Sequence, residues 1–175
     1  EERSKLYHDL RQVLSIVTEA VFETGGTIID YAGDAVFAVW GVPLPQVDQA
    51  DRAVDCALRV VQRLREEAFL ALRPGVQLSG IGIATGEVLV GPVGSSVMFK
   101  YGVFGPSVSA AQRLAALTKA DAFDREILIS REVRAELTRY RSATRHVAQV
   151  PLRGMHSQVE VFEVVPTEAG DSEDG

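Results

Sequence analysis

The sequence has 175 residues, a formal net charge of −6 and 46% hydrophobic residues. That length suits one domain with a real core, and the acidic balance argues against a nucleic-acid binder, which needs a basic surface to neutralise phosphates. No apolar run approaches the roughly 18 residues of a membrane span, and three scattered histidines with one cysteine give no zinc-ligand spacing.

Leu6, Leu10, Val13, Leu14, Val17 and Val21 recur at helical spacing and predict an opening amphipathic helix. Thr24-Gly25-Gly26 ends it, since glycine accepts the left-handed cap conformation. A β-rich run from Thr27 to Tyr31, a turn at Ala32-Gly33-Asp34 and an apolar return from Ala35 to Trp40 predict a hairpin. Gly41 to Pro45 is a loop. Asp48 is expected to cap a second long helix, whose inward face is Ala50, Ala53, Val54, Ala57, Leu58, Val61 and Leu64. Cys56 lies on that apolar side and is expected to be a small core residue. A lone cysteine forms no internal disulfide, which fits a reducing, cytoplasmic setting. No signal-peptide pattern opens the sequence, and an anchor elsewhere in a longer parent stays open.

Pro74-Gly75 breaks the chain. Val76, Leu78, Ile81 and Ile83 predict a strand, followed by Glu87 to Val90, with Gly91-Pro92-Val93-Gly94 as punctuation. Val97 to Phe104 predicts another strand, turning at Gly105-Pro106. A third helix is marked by Ala110, Ala111, Leu114 and Leu117. Ile127 to Ile129 is a short buried strand, and Ser130 caps a fourth helix through about Leu137. Val147 to Leu152 and Val159 to Val165 are the last strands. The acidic tail 166–175 is expected to be disordered, leaving one domain over 1–165. Mixed helices and strands with hairpins predict an α/β (α+β) fold, its sheet largely antiparallel and flanked by helices.

Four segments carry a resemblance. Gly25-Gly26, six residues, then Gly33-Asp34 resembles the hairpin of class III adenylyl and guanylyl cyclases. Gly80 to Val88 resembles their next strand and turn, and Tyr101 to Leu114 resembles the strand-to-helix stretch that bears their catalytic polar residues. Leu152-Arg153-Gly154 sits where the family has a basic-glycine motif. All four agree in order and spacing, up to about Val165. A competing dinucleotide fingerprint at Gly80, Gly82 and Gly86 fails, because its third glycine comes one place late and strand follows where a helix should open.

The resemblance implies a ferredoxin-like βαββαβ core and a head-to-tail homodimer with active sites between the subunits. It implies a nucleoside triphosphate substrate, cyclised by attack of the ribose 3′-hydroxyl on the α-phosphate, and two divalent ions, Mg²⁺ or Mn²⁺. Asp34 matches the family's hairpin metal ligand; on spacing alone it could equally satisfy the turn backbone. The strand bearing the other metal aspartate is expected before Glu1, so the sequence is expected to be a fragment. Arg113 matches the transition-state arginine, and Ser109 stands where the family has asparagine. Asp30 and Pro106 stand at the two base-reading positions: a carboxylate accepts from guanine N1–H and N2–H₂ but cannot donate to adenine N1, and Pro106 has no hydrogen-bonding side chain. Together they lean toward GTP, and a pyrimidine nucleotide stays open. Arg153 keeps the positive charge of a triphosphate-binding position, followed by Met155 and His156. Two functions therefore stand at this stage: an active nucleotidyl cyclase, or a degenerate cyclase-like module for dimerisation or nucleotide sensing.

Overall fold

A computed structural model describes residues 2–67, 80–119, 125–151 and 158–165. The predicted strand residues Val76 and Leu78, the basic-glycine segment with Arg153, Met155 and His156, and the tail from Pro166 lie outside the described residues.

The predicted opening helix is α1, Glu2–Glu23. It ends as its glycines dictate: Gly25 takes a φ of 74°, and the Gly26 N–H donates back to the Val21 carbonyl at 2.8 Å. The predicted hairpin follows as β1, Thr27–Ala32, and β2, Ala35–Val39, antiparallel with Ala32 opposite Ala35. Its tip is Gly33-Asp34, where Gly33 has a φ of 65°. A bulge between Ile28 and Asp30 offsets the register of β1.

Helix α2, Gln49–Glu66, buries the expected face. Asp48 departs from expectation, because its side chain makes no cap bond and accepts instead from Arg52 Nε at 2.6 Å. A carboxylate four residues before an arginine finds a charged partner stronger than a helix N–H. Strand β3 is Ile81–Ile83. Strand β4 is Leu89–Gly94 and pairs antiparallel along its whole length with β5, Phe99–Phe104. The stretch Gly91 to Gly94 is therefore strand, not punctuation. Pro92 stands opposite Tyr101 on a two-stranded ribbon, whose outer edge tolerates a missing N–H.

Helix α3, Pro106–Leu117, opens with proline in its first turn. Strand β6, Ile127–Ser130, runs into α4, Arg131–Glu136, and the Ser130 hydroxyl caps that helix by accepting from Val133 N–H at 3.3 Å. The last strands are β7, Thr144–Pro151, and β8, Gln158–Val164.

The central sheet has the order β3-β6-β8-β7; β3 and β6 are parallel and the other two pairings antiparallel. Period-2 alternation sends successive residues of β6 to opposite faces. Ile127 and Ile129 pack with Val54, Ala57 and Val61 of α2, whereas Leu128 packs with Leu114 of α3. Strand β8 divides likewise, Phe162 and Val164 toward α2 and Val161 toward α3. The sheet thus lies between α2 and α3. A third cluster joins Ala20 and Val21 of α1 to Cys56, Val60 and Leu64 of α2, with Ile28, Ala38 and Trp40 of the hairpin against it.

One buried polar device braces this frame. Asp51 on α2 is 1% exposed, and its carboxylate accepts from the Thr138 hydroxyl and from the backbone N–H groups of Thr138, Arg139 and Tyr140. Burial raises its pKa, but these four donors prevail and hold it below the ordinary carboxylate value.

Candidate active site

Two backbone approaches position α3 against β3. A Cβ built on Gly82 would lie 2.1 Å from the Ala111 carbonyl oxygen and 2.3 Å from the Ala115 N, and one on Gly80 would lie 2.3 Å from Thr118 Oγ1. Only glycine allows so close a seat, with alanines facing it from the helix. Seating Ala111, Leu114 and Ala115 inward turns the opposite side outward. Residues three and four apart share a helix face, so Pro106, Ser109 and Arg113 form one stripe. Pro106 and Ser109 are exposed; Arg113 is half-buried and meets no carboxylate among the described residues.

The hairpin carries the acidic residues. Asp34 is exposed at the tip, beside the left-handed Gly33. Asp30 lies mid-strand after the bulge. One of its oxygens accepts from the Tyr31 N–H at 3.1 Å, and the other meets Lys100 Nζ on β5. Lys100 beside it, chiefly by hydrogen bonding, holds the Asp30 carboxyl below its usual range. The pair ties the β1–β2 hairpin to the β4–β5 ribbon, which share no ladder.

Sequence reasoning gave Asp30 and Pro106 as the two base-reading positions and did not name Lys100, the residue that meets Asp30. Its signal was a lone charge within the apolar run Phe99-Lys100-Tyr101. The α3 stripe and the hairpin acids make no hydrogen bond or ion pair with each other among the described residues. Cys56 is buried as expected, and burial pushes its thiol up to about 11, which makes it inert at neutral pH. No helix among the described residues is long and apolar enough to cross a membrane.

The model of the adenylate and guanylate cyclase catalytic domain matches residues 3–165. The chain belongs to that family. Its members form cyclic nucleotides, generally with divalent metals, and commonly dimerise.

Among curated relatives of this cyclase domain, "Adenylate cyclase 1" of Rhizobium meliloti is 31% identical over 163 residues, 89% of this chain and 23% of that protein. The uncharacterized protein Rv1319c of Mycobacterium tuberculosis is 36% identical over 111 residues, 63% of this chain and 20% of its own length. The chain thus spans about a fifth of the length of these relatives. Among solved structures, the adenylyl cyclase CyaB from P. aeruginosa superposes with a TM-score of 0.76 at 25% identity, covering 95% of this chain and 85% of that one. The guanylyl cyclase Cya2 gives a TM-score of 0.70 at 30% identity, covering 90% and 80%. The cyclase domain therefore has relatives named for either purine, and only its own residues can argue the base.

Proposed function

We propose that this domain is catalytic, cyclising a nucleoside triphosphate to a 3′,5′-cyclic nucleotide with release of pyrophosphate, and that it prefers GTP to ATP. The observation that carries the reading is the α3 stripe: Ser109 and Arg113 one turn apart, on a helix seated against β3 by backbone contact. In the reaction the ribose 3′-oxygen bonds to the α-phosphorus, the bond to the bridging oxygen breaks, and the 3′-hydroxyl proton leaves. Negative charge grows on the non-bridging oxygens of the α-phosphate. A guanidinium that meets no carboxylate among the described residues, on a helix seated by backbone contact, meets that charge without reorganisation. Ser109, one turn earlier, offers a hydroxyl to orient the ribose. Arg153 is assigned the triphosphate by its motif alone.

Divalent ions would supply Lewis-acid stabilisation of the attacking and leaving oxygens. The described residues do not fit a two-ion site by themselves, since no three His, Cys, Asp or Glu side chains converge among them. Asp34 is assigned as one ligand, and the remaining ligands must come from outside these residues. The stripe and the acidic hairpin carry different parts of one chemistry yet share no hydrogen bond or ion pair among the described residues, which supports a site completed by a second copy. The β4–β5 ribbon exposes Leu89, Val97, Met98, Phe99 and Tyr101, an apolar patch suited to that contact.

The GTP preference rests on Asp30 as an acceptor for guanine N1–H and N2–H₂, with Pro106 unable to bond a base. Assays of the full-length protein with Mn²⁺ and each of the four nucleoside triphosphates test it. Faster turnover of ATP overturns the base assignment and leaves the fold intact. Absence of turnover with every nucleotide overturns the catalytic reading in favour of a nucleotide-sensing or dimerisation module.

A further inference from the structure

Asp30 does not stand alone. Its Oδ1 accepts from the Tyr31 N–H, and its Oδ2 meets the Lys100 ammonium. An ammonium has three donors and the carboxylate uses one. The side chains of Lys100 and Asp30 are 67% and 43% exposed, so both present polar atoms to solvent beside the salt bridge. The hairpin and the ribbon therefore offer a donor and an acceptor next to each other at one junction.

Nucleobases differ in how they pair with such a couple. Guanine presents an acceptor, O6, followed by two donors, N1–H and N2–H₂. Adenine presents one donor, N6–H₂, followed by one acceptor, N1. A carboxylate alone serves guanine with two bonds and adenine with one, and it leaves adenine N1 facing an anion. An ammonium beside it gives adenine N1 the donor that it lacks, and adds only the O6 contact to a guanine already held twice. Lys100 therefore matters more to adenine, and Asp30 more to guanine.

Resting on the cyclase reading above, we propose that Lys100 is a specificity-determining residue: paired with Asp30, it donates to the purine edge and lets the site take adenine as a second substrate. An ion pair that merely staples the hairpin to the ribbon has a different signature. Loss of either partner would then slow both nucleotides alike.

The test is the ratio of kcat/KM for GTP to that for ATP, measured on full-length wild type, Lys100→Met and Asp30→Ala. Lys100→Met should raise the ratio about 5- to 10-fold, chiefly by lowering ATP turnover, the effect of one lost charged hydrogen bond that water partly replaces. Asp30→Ala should lower the ratio, because guanine then loses two acceptor contacts. Shifts of opposite sign support the proposal. A ratio unmoved in both variants, or moved in the same direction, overturns it while turnover itself leaves the cyclase reading standing. If the wild type turns over nothing, the same ratio is read from displacement of a fluorescent GTP analogue by GTP and by ATP. Opposite shifts in Kd then keep the base-reading pair and remove only the chemistry. Failure of both nucleotides to displace the analogue overturns both readings.

Discussion

Gly82→Ala tests how the helix that bears Arg113 is held. The new Cβ would lie 2.1 Å from the Ala111 carbonyl oxygen and 2.3 Å from the Ala115 N, where real Cβ contacts below 3.0 Å are essentially absent. Both obstacles are backbone, so no rotamer change relieves them, and α3 must retreat by about 0.9 Å. Overpacking of this kind costs about 1–3 kcal/mol, and the rigidity of the two obstacles puts the cost near the upper end. At about 2–4 °C per kcal/mol for a domain of this size, Tm should fall by roughly 6–12 °C. The same retreat carries Ser109 and Arg113 with it, and a misplacement of about 1 Å lowers turnover about 10²-fold. Gly91→Ala is the control, since nothing lies within 4 Å of its Cβ position. Thermal unfolding gives the first number and turnover per folded molecule the second. A Gly82→Ala protein with wild-type Tm refutes the packing argument. One that melts early yet turns over normally when folded refutes the link between helix position and catalysis.

Arg113→Ala should lower kcat about 10²–10³-fold with little change in KM or Tm, and Arg113→Lys should recover only part, because a point charge does not replace the planar fork. Asp34→Ala should also abolish turnover, but raised Mn²⁺ should restore some of it and none of the Arg113→Ala loss; steady-state kinetics at two Mn²⁺ levels separate the two. Asp51→Ala leaves the Thr138 hydroxyl and three backbone N–H groups, all part-buried, without their acceptor, so urea unfolding should show a loss of about 1–3 kcal/mol. The folded pKa of Asp51 lies below its ordinary 3.8, so its contribution is complete above that pH and is lost as pH falls through the folded value; acid unfolding of Asp51→Asn should lack this component below about pH 4. Phe99 is 71% exposed on the ribbon, and Phe99→Asp should shift sedimentation toward monomer without lowering the monomer's Tm.

Much of the frame was legible because local chemistry and tertiary structure agree. The glycines after α1, the Gly33-Asp34 turn, the face of α2 and the Ser130 cap each follow from a residue whose preferred conformation is the one observed. Where two demands competed, local reading failed. Asp48 was free to cap α2 but found Arg52, and Gly91 to Gly94 carries turn residues but lies on a ribbon that pairs along its length. Of the candidate site, the α3 stripe follows from helical spacing alone, so Ser109 and Arg113 could be placed on one face without coordinates. The partner of Asp30 could not. Lys100 lies 70 residues away, and only the packing of one hairpin on another brings them together. Asp51 was hidden for the same reason: an aspartate in the first turn of a helix looks solvated until the segment after α4 folds onto it.

The β4–β5 ribbon shares no ladder with the central sheet, and its residues 92–101 are all exposed. Its backbone bonds are therefore guarded by little apolar cover, whereas Ile127, Leu128 and Ile129 of β6 are at most 1% exposed. Opening free energy follows such cover, so one chain should hold two tiers of hydrogen-exchange protection. The amides of β6 and β8 are expected to exchange only on global unfolding. Those of the ribbon are expected to exchange through a local opening that leaves the sheet intact. Lys100 belongs to the weaker tier, tethered at one end by the buried Val103 and at its flank by Asp30. Whatever orders the ribbon, a second copy or a bound base, draws its free energy from that local equilibrium and not from the stability of the domain.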